Sequence, residues 1–183
     1  MPAIELSNIA AGAGGFVING EYKDDLAGYS VAAAGDVNGD GLADVIVGAW
    51  GSDPSGRSNA GRSYVVFGKT GNSAIDLSAI TSGSGGFVIN GQCVEDRSGL
   101  SVAAAGDING DGLDDLIVGA PYADPAGGSA AGRSYVVFGK TSTGWAQLSA
   151  IATGTGGFVI NGESPNDLAG YSVAAAGDVN GDG

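Results

Sequence analysis

An internal period constrains this chain more than any other feature. Phe16, Phe87 and Phe158 stand 71 residues apart, as do Asp36, Asp107 and Asp178, and no insertion breaks the spacing. The segment Gly14-Gly15-Phe16-Val17-Ile18-Asn19-Gly20 returns at 85–91 and at 156–162. The segment from Ala60 to Thr70 returns letter for letter from Ala131 to Thr141. Residues 1–183 read as one segment of about 2.5 repeats, with equivalent positions at 16, 87 and 158. A repeated unit cannot bury its apolar face alone, so neighbouring copies must stack and share a core.

Each period holds four short strand-like runs: Gly15 to Asn19, Tyr29 to Ala34, Asp44 to Ala49, and Ser63 to Phe67. Three of them are dominated by β-branched and aromatic residues. Ala32-Ala33-Ala34 has helical propensity but lies between Gly28 and Gly35, too short a span for a stable helix. It reads as a strand whose small side chains suit a crowded interior. The segments around Ser52 to Asn59 and Asp124 to Ala130 carry the Gly, Ser, Pro and Asp of surface loops. Four short strands per repeat predict an all-β fold of β-propeller blades, four-stranded and antiparallel. A seven-bladed ring at this period needs about 500 residues, so the chain supplies an incomplete ring.

Composition agrees with this reading. There are 36 glycines, yet 43% of residues are hydrophobic and they cluster in short runs, as in an all-β chain with many turns. Twenty acids against seven bases give a net charge of −13. With no basic patch to neutralise phosphates, nucleic acid is excluded as a partner. Cys93 is the single cysteine, so no intrachain disulfide exists. No apolar run approaches the ~18 residues of a membrane span, which predicts no membrane insertion. Met1-Pro2-Ala3-Ile4-Glu5 lacks the basic and apolar regions of a signal peptide, so any export signal is expected outside this sequence.

The acids concentrate in one repeated loop. Gly35-Asp36-Val37-Asn38-Gly39-Asp40-Gly41-Leu42-Ala43-Asp44 is matched by Gly106-Asp107-Ile108-Asn109-Gly110-Asp111-Gly112-Leu113-Asp114-Asp115, and a third copy runs from Gly177 to Gly183. Counting the first Asp as position 1, oxygen-bearing side chains fall at positions 1, 3, 5 and 9, with Gly at position 6. Calcium takes six to eight oxygens at roughly 2.3–2.6 Å, and a Gly-assisted turn gathers them. The expected ligands are Asp36, Asn38, Asp40, the Leu42 carbonyl and Asp44, then Asp107, Asn109, Asp111, the Leu113 carbonyl and Asp115. The third loop offers Asp178, Asn180 and Asp182 and is expected to bind poorly unless another chain completes it. Carboxylates this close repel by roughly 1–4 kcal/mol per pair, and a divalent cation reverses the sign. An all-oxygen set favours Ca2+ over zinc or copper. Two bound ions would bring the net charge from −13 to −9.

Two rival readings fail on residues. An EF-hand loop needs an acid at position 12 and flanking helices, whereas Val47 and Val118 stand there inside strand-like runs. Enzymatic chemistry lacks its usual general base, because the chain has no histidine. Gly28-Tyr29-Ser30-Val31 and Gly99-Leu100-Ser101-Val102 look superficially like a nucleophile elbow, but read better as hydroxyls in strands. No catalytic residue is expected. Arg62 and Arg133 are expected to pair with nearby acids, and Trp145 and Tyr64 to be packing residues.

Ser30-Val31-Ala32, the Gly-Asp-Val-Asn-Gly-Asp-Gly run and Asp44-Val45-Ile46-Val47-Gly48-Ala49 together resemble the FG-GAP repeat, the blade unit of integrin α-chain propellers and of many bacterial surface proteins. The resemblance covers almost the whole chain. It implies a four-stranded blade with calcium in the hairpin loop between the first two strands. The family's Phe is replaced by Ala27, Ser98 and Ala169. Its Gly-Ala-Pro survives only at Gly119 to Pro121, Trp50 standing in the earlier copy. The near-identity of the copies is similar to bacterial arrays or an engineered repeat. The implied role is a calcium-binding adhesion or ligand-binding module, extracellular or at the cell surface, with a protein or glycan ligand. The alternative is a structural or engineered fragment that self-associates through unpaired blade edges into a complete propeller.

Overall fold

The computed structural model describes residues 5–126 and 128–177, so the third acidic loop, Asp178 to Asp182, lies outside the described residues. The elements in chain order are α1 (Leu6–Ala10), β1 (Ile18–Asn19), β2 (Ser30–Gly35), β3 (Asp44–Ala49), β4 (Arg62–Val66), β5 (Ile75–Asp76), α2 (Leu77–Thr81), β6 (Gly86–Asn90), β7 (Ser101–Gly106), β8 (Asp115–Ala120), β9 (Arg133–Val137), β10 (Ala146–Gln147), α3 (Leu148–Ile151) and β11 (Gly157–Asn161). Strands β2, β3, β4 and β6 form one antiparallel unit, and β7, β8, β9 and β11 form the second.

These units differ in phase from the sequence repeat. The run at Gly15 to Asn19 does not join the strands that follow it; only Ile18–Asn19 is extended, and it pairs in parallel with β5. Its counterpart β6, one period later, closes the first unit against β4. A blade therefore takes its outer strand from the next period. The reason is geometric: β4 and β6 are joined by the 67–85 connection and pair antiparallel, whereas β1 belongs beside the segment carrying β5. The outer edge of β6 does not stay bare either. It takes β10 in parallel, which covers backbone groups that would otherwise template aggregation. Three one-turn helices, which the all-β reading omitted, sit in the connections before β1, β6 and β11.

Strand alternation sends Ile46, Val65, Phe87 and Ile89 to one face of the first unit, where they pack against Val102, Leu116, Val118, Tyr135 and Val137 of the second. Each such side chain contributes about 1.5–3 kcal/mol on burial. The opposite face gathers Val47, Tyr64, Val66, Leu77, Ile80 and Val88, partly covered by Ile18, Ala27 and Ile75. The small residues of β2 do what their size suggested: β2 lies along β7, and Ala34 is fully buried in the shared core. Ser30 Oγ accepts from the Val102 N–H at 3.0 Å, and Ser101 Oγ from that of Val173 at the same distance. These hydroxyls tie one unit to the next. Gly48 and Gly119 are required at the same joint, since a Cβ there would meet the carbonyl oxygens of Gly99 and Gly170 at 2.0 and 1.9 Å.

Candidate metal centre

The acidic loops connect β2 to β3 and β7 to β8, at the same end of the units as the connections leaving β4 and β9. Within the first loop, Asp36 Oδ1 accepts the N–H groups of Gly39 (2.8 Å) and Asp40 (3.1 Å), and Oδ2 accepts that of Gly41 (2.9 Å). Asn38 Oδ1 accepts from the Asp40 N–H at 2.8 Å, and its amide donates to Asp40 Oδ2 at 3.0 Å. Asp40 Oδ1 accepts from the Leu42 N–H at 2.8 Å. Gly41, with φ of +82°, takes the left-handed turn that a side chain resists. The second loop repeats these bonds on Asp107, Asn109 and Asp111, every distance agreeing within about 0.2 Å. Two copies of one sequence fold the loop in one way.

The position 9 acids behave differently. Asp44 and Asp115 are buried. Asp44 Oδ2 accepts the Val37 N–H (3.0 Å) and Oδ1 that of Gly68 (2.7 Å); Asp115 accepts those of Ile108 (3.0 Å) and Gly139 (2.8 Å). Burial raises the pKa of both carboxyls, the backbone N–H groups oppose that rise, and the neighbouring acids, Asp40 and Asp36 or Asp111, add to it. The expected ligand sets thus divide. Positions 1, 3 and 5 form a backbone-wrapped acidic turn, exposed in the second loop and half-buried at Asp36 and Asn38 in the first, while position 9 anchors the loop to the connection after the third strand. Leu42, which follows position 5, is exposed, while its counterpart Leu113 is half-buried near Gly39 of the first loop. Among the described residues, no three acidic, His or Cys side chains stand close enough together to hold a metal ion as placed. The donor chemistry nevertheless fits a hard cation. Every group offered is oxygen, and after burial the neighbouring loop acids add to the raised pKa of Asp44 and Asp115, a repulsion that a divalent ion would relieve.

Sequence reasoning missed two parts of this arrangement. The Gly68 and Gly139 N–H groups serve the buried acids, and the identical Phe-Gly-Lys after each third strand was their only signal. Asp114, which replaces Ala43 of the first copy, accepts from the Asp36 N–H at 2.7 Å, and its own N–H donates to the Asp36 carbonyl at 3.1 Å. The two loops are thereby clasped together. Lys140 adds a third link by donating its N–H to the Val37 carbonyl at 2.8 Å.

The arginine expectation holds in one copy. Arg62 Nη1 lies 3.1 Å from Glu21, which also accepts from Tyr64 and Thr81 hydroxyls at 2.8 Å. Burial, first of all, pushes the Tyr64 phenol up to about 12. In the second copy position 21 becomes Gln92, so Arg133 bonds its amide at 3.0 Å, and Asn161, with no acid at salt-bridge distance among the described residues. Tyr64 is fully buried, as expected of packing; Trp145 is not, with 60% of its surface exposed. At the far end of the units Arg97 lies over the rings of Trp50 (5.1 Å) and Tyr122 (4.5 Å), a cationic rivet between neighbours.

Four-stranded antiparallel units stacked face to face, with small-residue first strands side by side and an acidic loop after each, define a segment of a β-propeller that does not close into a ring. Residues 27–66 and 98–137 match the FG-GAP repeat, so the chain carries two FG-GAP repeats. It is 36% identical over 116 residues to Integrin alpha-PS2 of Drosophila melanogaster, covering 61% of this chain and 8% of that protein. It is 33% identical over 178 residues to Phosphatidylinositol-glycan-specific phospholipase D of Bos taurus, covering 97% of this chain and 20% of that one. Integrin alpha-IIb of Mus musculus is 32% identical over 164 residues, 84% of this chain and 15% of that protein. The chain therefore spans a fifth or less of the length of these relatives. No helix among the described residues is long and apolar enough to cross a membrane.

Proposed function

We propose that the chain is a calcium-stabilised propeller module that serves adhesion or ligand binding outside the cytoplasm, with no catalytic role of its own. The observation that carries the calcium part is the duplicated loop: two turns with all-oxygen donors and the same hydrogen bonds, each carrying three acids, Asp36, Asp40 and the buried Asp44, or Asp107, Asp111 and the buried Asp115. Asp36, Asn38, Asp40, Asp44 and the Leu42 carbonyl would hold one ion, and Asp107, Asn109, Asp111, Asp115 and the Leu113 carbonyl the other. Asp178, Asn180 and Asp182 would begin a third site. A bound cation supplies charge neutralisation and cross-links the loop to the third-strand connection through the position 9 acid. The absence of histidine and the use of both strand serines in joints between units support a binding role over chemistry. The kinship with integrin α-chains supports adhesion and an extracellular location; the ligand would be a protein or glycan.

Titration with CaCl2 in a calorimeter is the direct test. Two sites are expected from the complete loops, and Asp107→Ala should remove one of them. Absence of any heat or stabilisation at millimolar calcium would refute the metal assignment.

One observation favours a second reading, assembly with further copies. Phe158 and Ile160, equivalent to the fully buried Phe87 and Ile89, are 40% and 51% exposed on the outward face of the second unit. That face matches the one already covered in the first. Light scattering at increasing concentration should show a discrete oligomer if copies seat on it, whereas a monomer at all concentrations excludes such assembly.

A further inference from the structure

The connections after β4 and β9 build the same cavity twice. The first, about 310 Å³, lies among Phe67, Lys69, Ile75, Ala79 and Ile80; the second, about 290 Å³, lies among Phe138, Lys140, Ala146, Ala150 and Ile151. The first stays open with the second unit seated beside it, so the cavity is a property of the blade. The two differ at two positions that change their chemistry: Ala74 and Asp76 in the first copy are Trp145 and Gln147 in the second. Trp145 also lines a neighbouring cleft of about 450 Å³ with Thr81, Ser82, Gly83, Thr143 and Gly144. Its indole N–H donates to the Thr81 carbonyl at 3.3 Å, which fixes the ring against the end of α2 while leaving 60% of the residue exposed.

We propose that Trp145 forms the platform of a binding site for a neutral saccharide. An aromatic ring with an open face receives the C–H surface of a pyranose, and its size gives a large contact at little entropic cost. The surrounding side chains supply what sugar hydroxyls need: Thr81, Ser82, Thr143 and Thr155 offer hydroxyls, and Gln147 offers an amide donor and acceptor. No acid lines the second cavity or the cleft beside it, whereas Asp76 lines the first cavity. The one cation, Lys140, is already engaged, donating to the Gly144 carbonyl and lying 4.4 Å from the centre of the Phe87 ring. A net charge of −13 repels anionic ligands, so an uncharged polyol is the matching chemistry.

The site deepens the ligand-binding reading and is independent of the calcium assignment, so all measurements are made in saturating CaCl2. An array of neutral oligosaccharides should yield bound members. For the tightest, Trp145→Ala should weaken binding at least about tenfold, while Trp145→Phe, which keeps a flat ring, should lose much less. In the unaltered protein, the bound saccharide should shift one of the two indole N–H resonances in a nitrogen–proton NMR spectrum, the one that Trp145→Phe removes. This readout does not depend on the Ala variant folding. Failure of the array to yield any neutral ligand, equal affinity of the unaltered and Ala proteins, or a shift confined to the Trp50 resonance would each overturn the proposal. A chain that binds two calcium ions but no saccharide would leave the calcium assignment standing and remove this one.

Discussion

Addition of EGTA to the calcium-loaded chain should lower its melting temperature by about 10–20 °C, and restored calcium should recover it. The size follows from linkage. A site held at 100 times its Kd adds ~2.7 kcal/mol, and two such sites add ~5 kcal/mol. For a chain of this size 1 kcal/mol moves the midpoint by about 2–4 °C. The effect should be large because the loops tie together segments distant in sequence, within each unit and between the two. Asp36 is bonded to Asp114 of the neighbouring loop, and Asp44 and Asp115 reach Gly68 and Gly139 beyond their third strands. Loss of the ion leaves these carboxylates crowded and partly desolvated, so the destabilisation should spread across both units. A chelator that leaves the melting curve unmoved would exclude calcium as a structural element.

The second large effect distinguishes two phenylalanines that the sequence makes equivalent. Phe87→Ala should destabilise the chain by about 3–5 kcal/mol, since it empties a fully buried site between the units. Phe158→Ala should cost about 1 kcal/mol, because its ring is 40% exposed and loses fewer contacts. Each ring meets its neighbour, Phe67 or Phe138, edge to face at 6.0 and 6.3 Å, so the local pair is the same and only the covering unit differs. Denaturant unfolding of the two variants checks the prediction. Equal losses would mean that the Phe158 face is covered in solution, and would then agree with an oligomer seen by light scattering.

Much of this was legible beforehand because repetition amplifies weak signals. Ala32-Ala33-Ala34 could be assigned to a strand from its bounding glycines, and the structure places it there, in β2 beside β7. The loop acids could be picked out by spacing. Their division of labour could not: nothing in the order of letters says that Asp44 turns inward to Gly68, since the partner lies 24 residues away across a sheet. The same holds for Gly15 to Asn19, which looks like the first strand of its own blade. Its equivalent β6 instead completes the blade before it, because pairing is chosen by the antiparallel return from β4 and not by the phase in which the repeat is counted. Trp145 reads from sequence as a packing residue. Its position at the rim of a connection, pinned by Thr81, decides otherwise.

By itself, then, the sequence determined the unit, its all-β character, the acidic loop and the FG-GAP kinship, since each depends on local spacing and residue chemistry repeated at a fixed period. The tertiary structure alone decided which strands form a blade, which equivalent side chains are covered, which acids face the backbone and which aromatic faces water. Those outcomes depend on contacts between neighbouring units. Identical letters therefore acquire different environments wherever one copy has a neighbour on a face that the other presents to solvent.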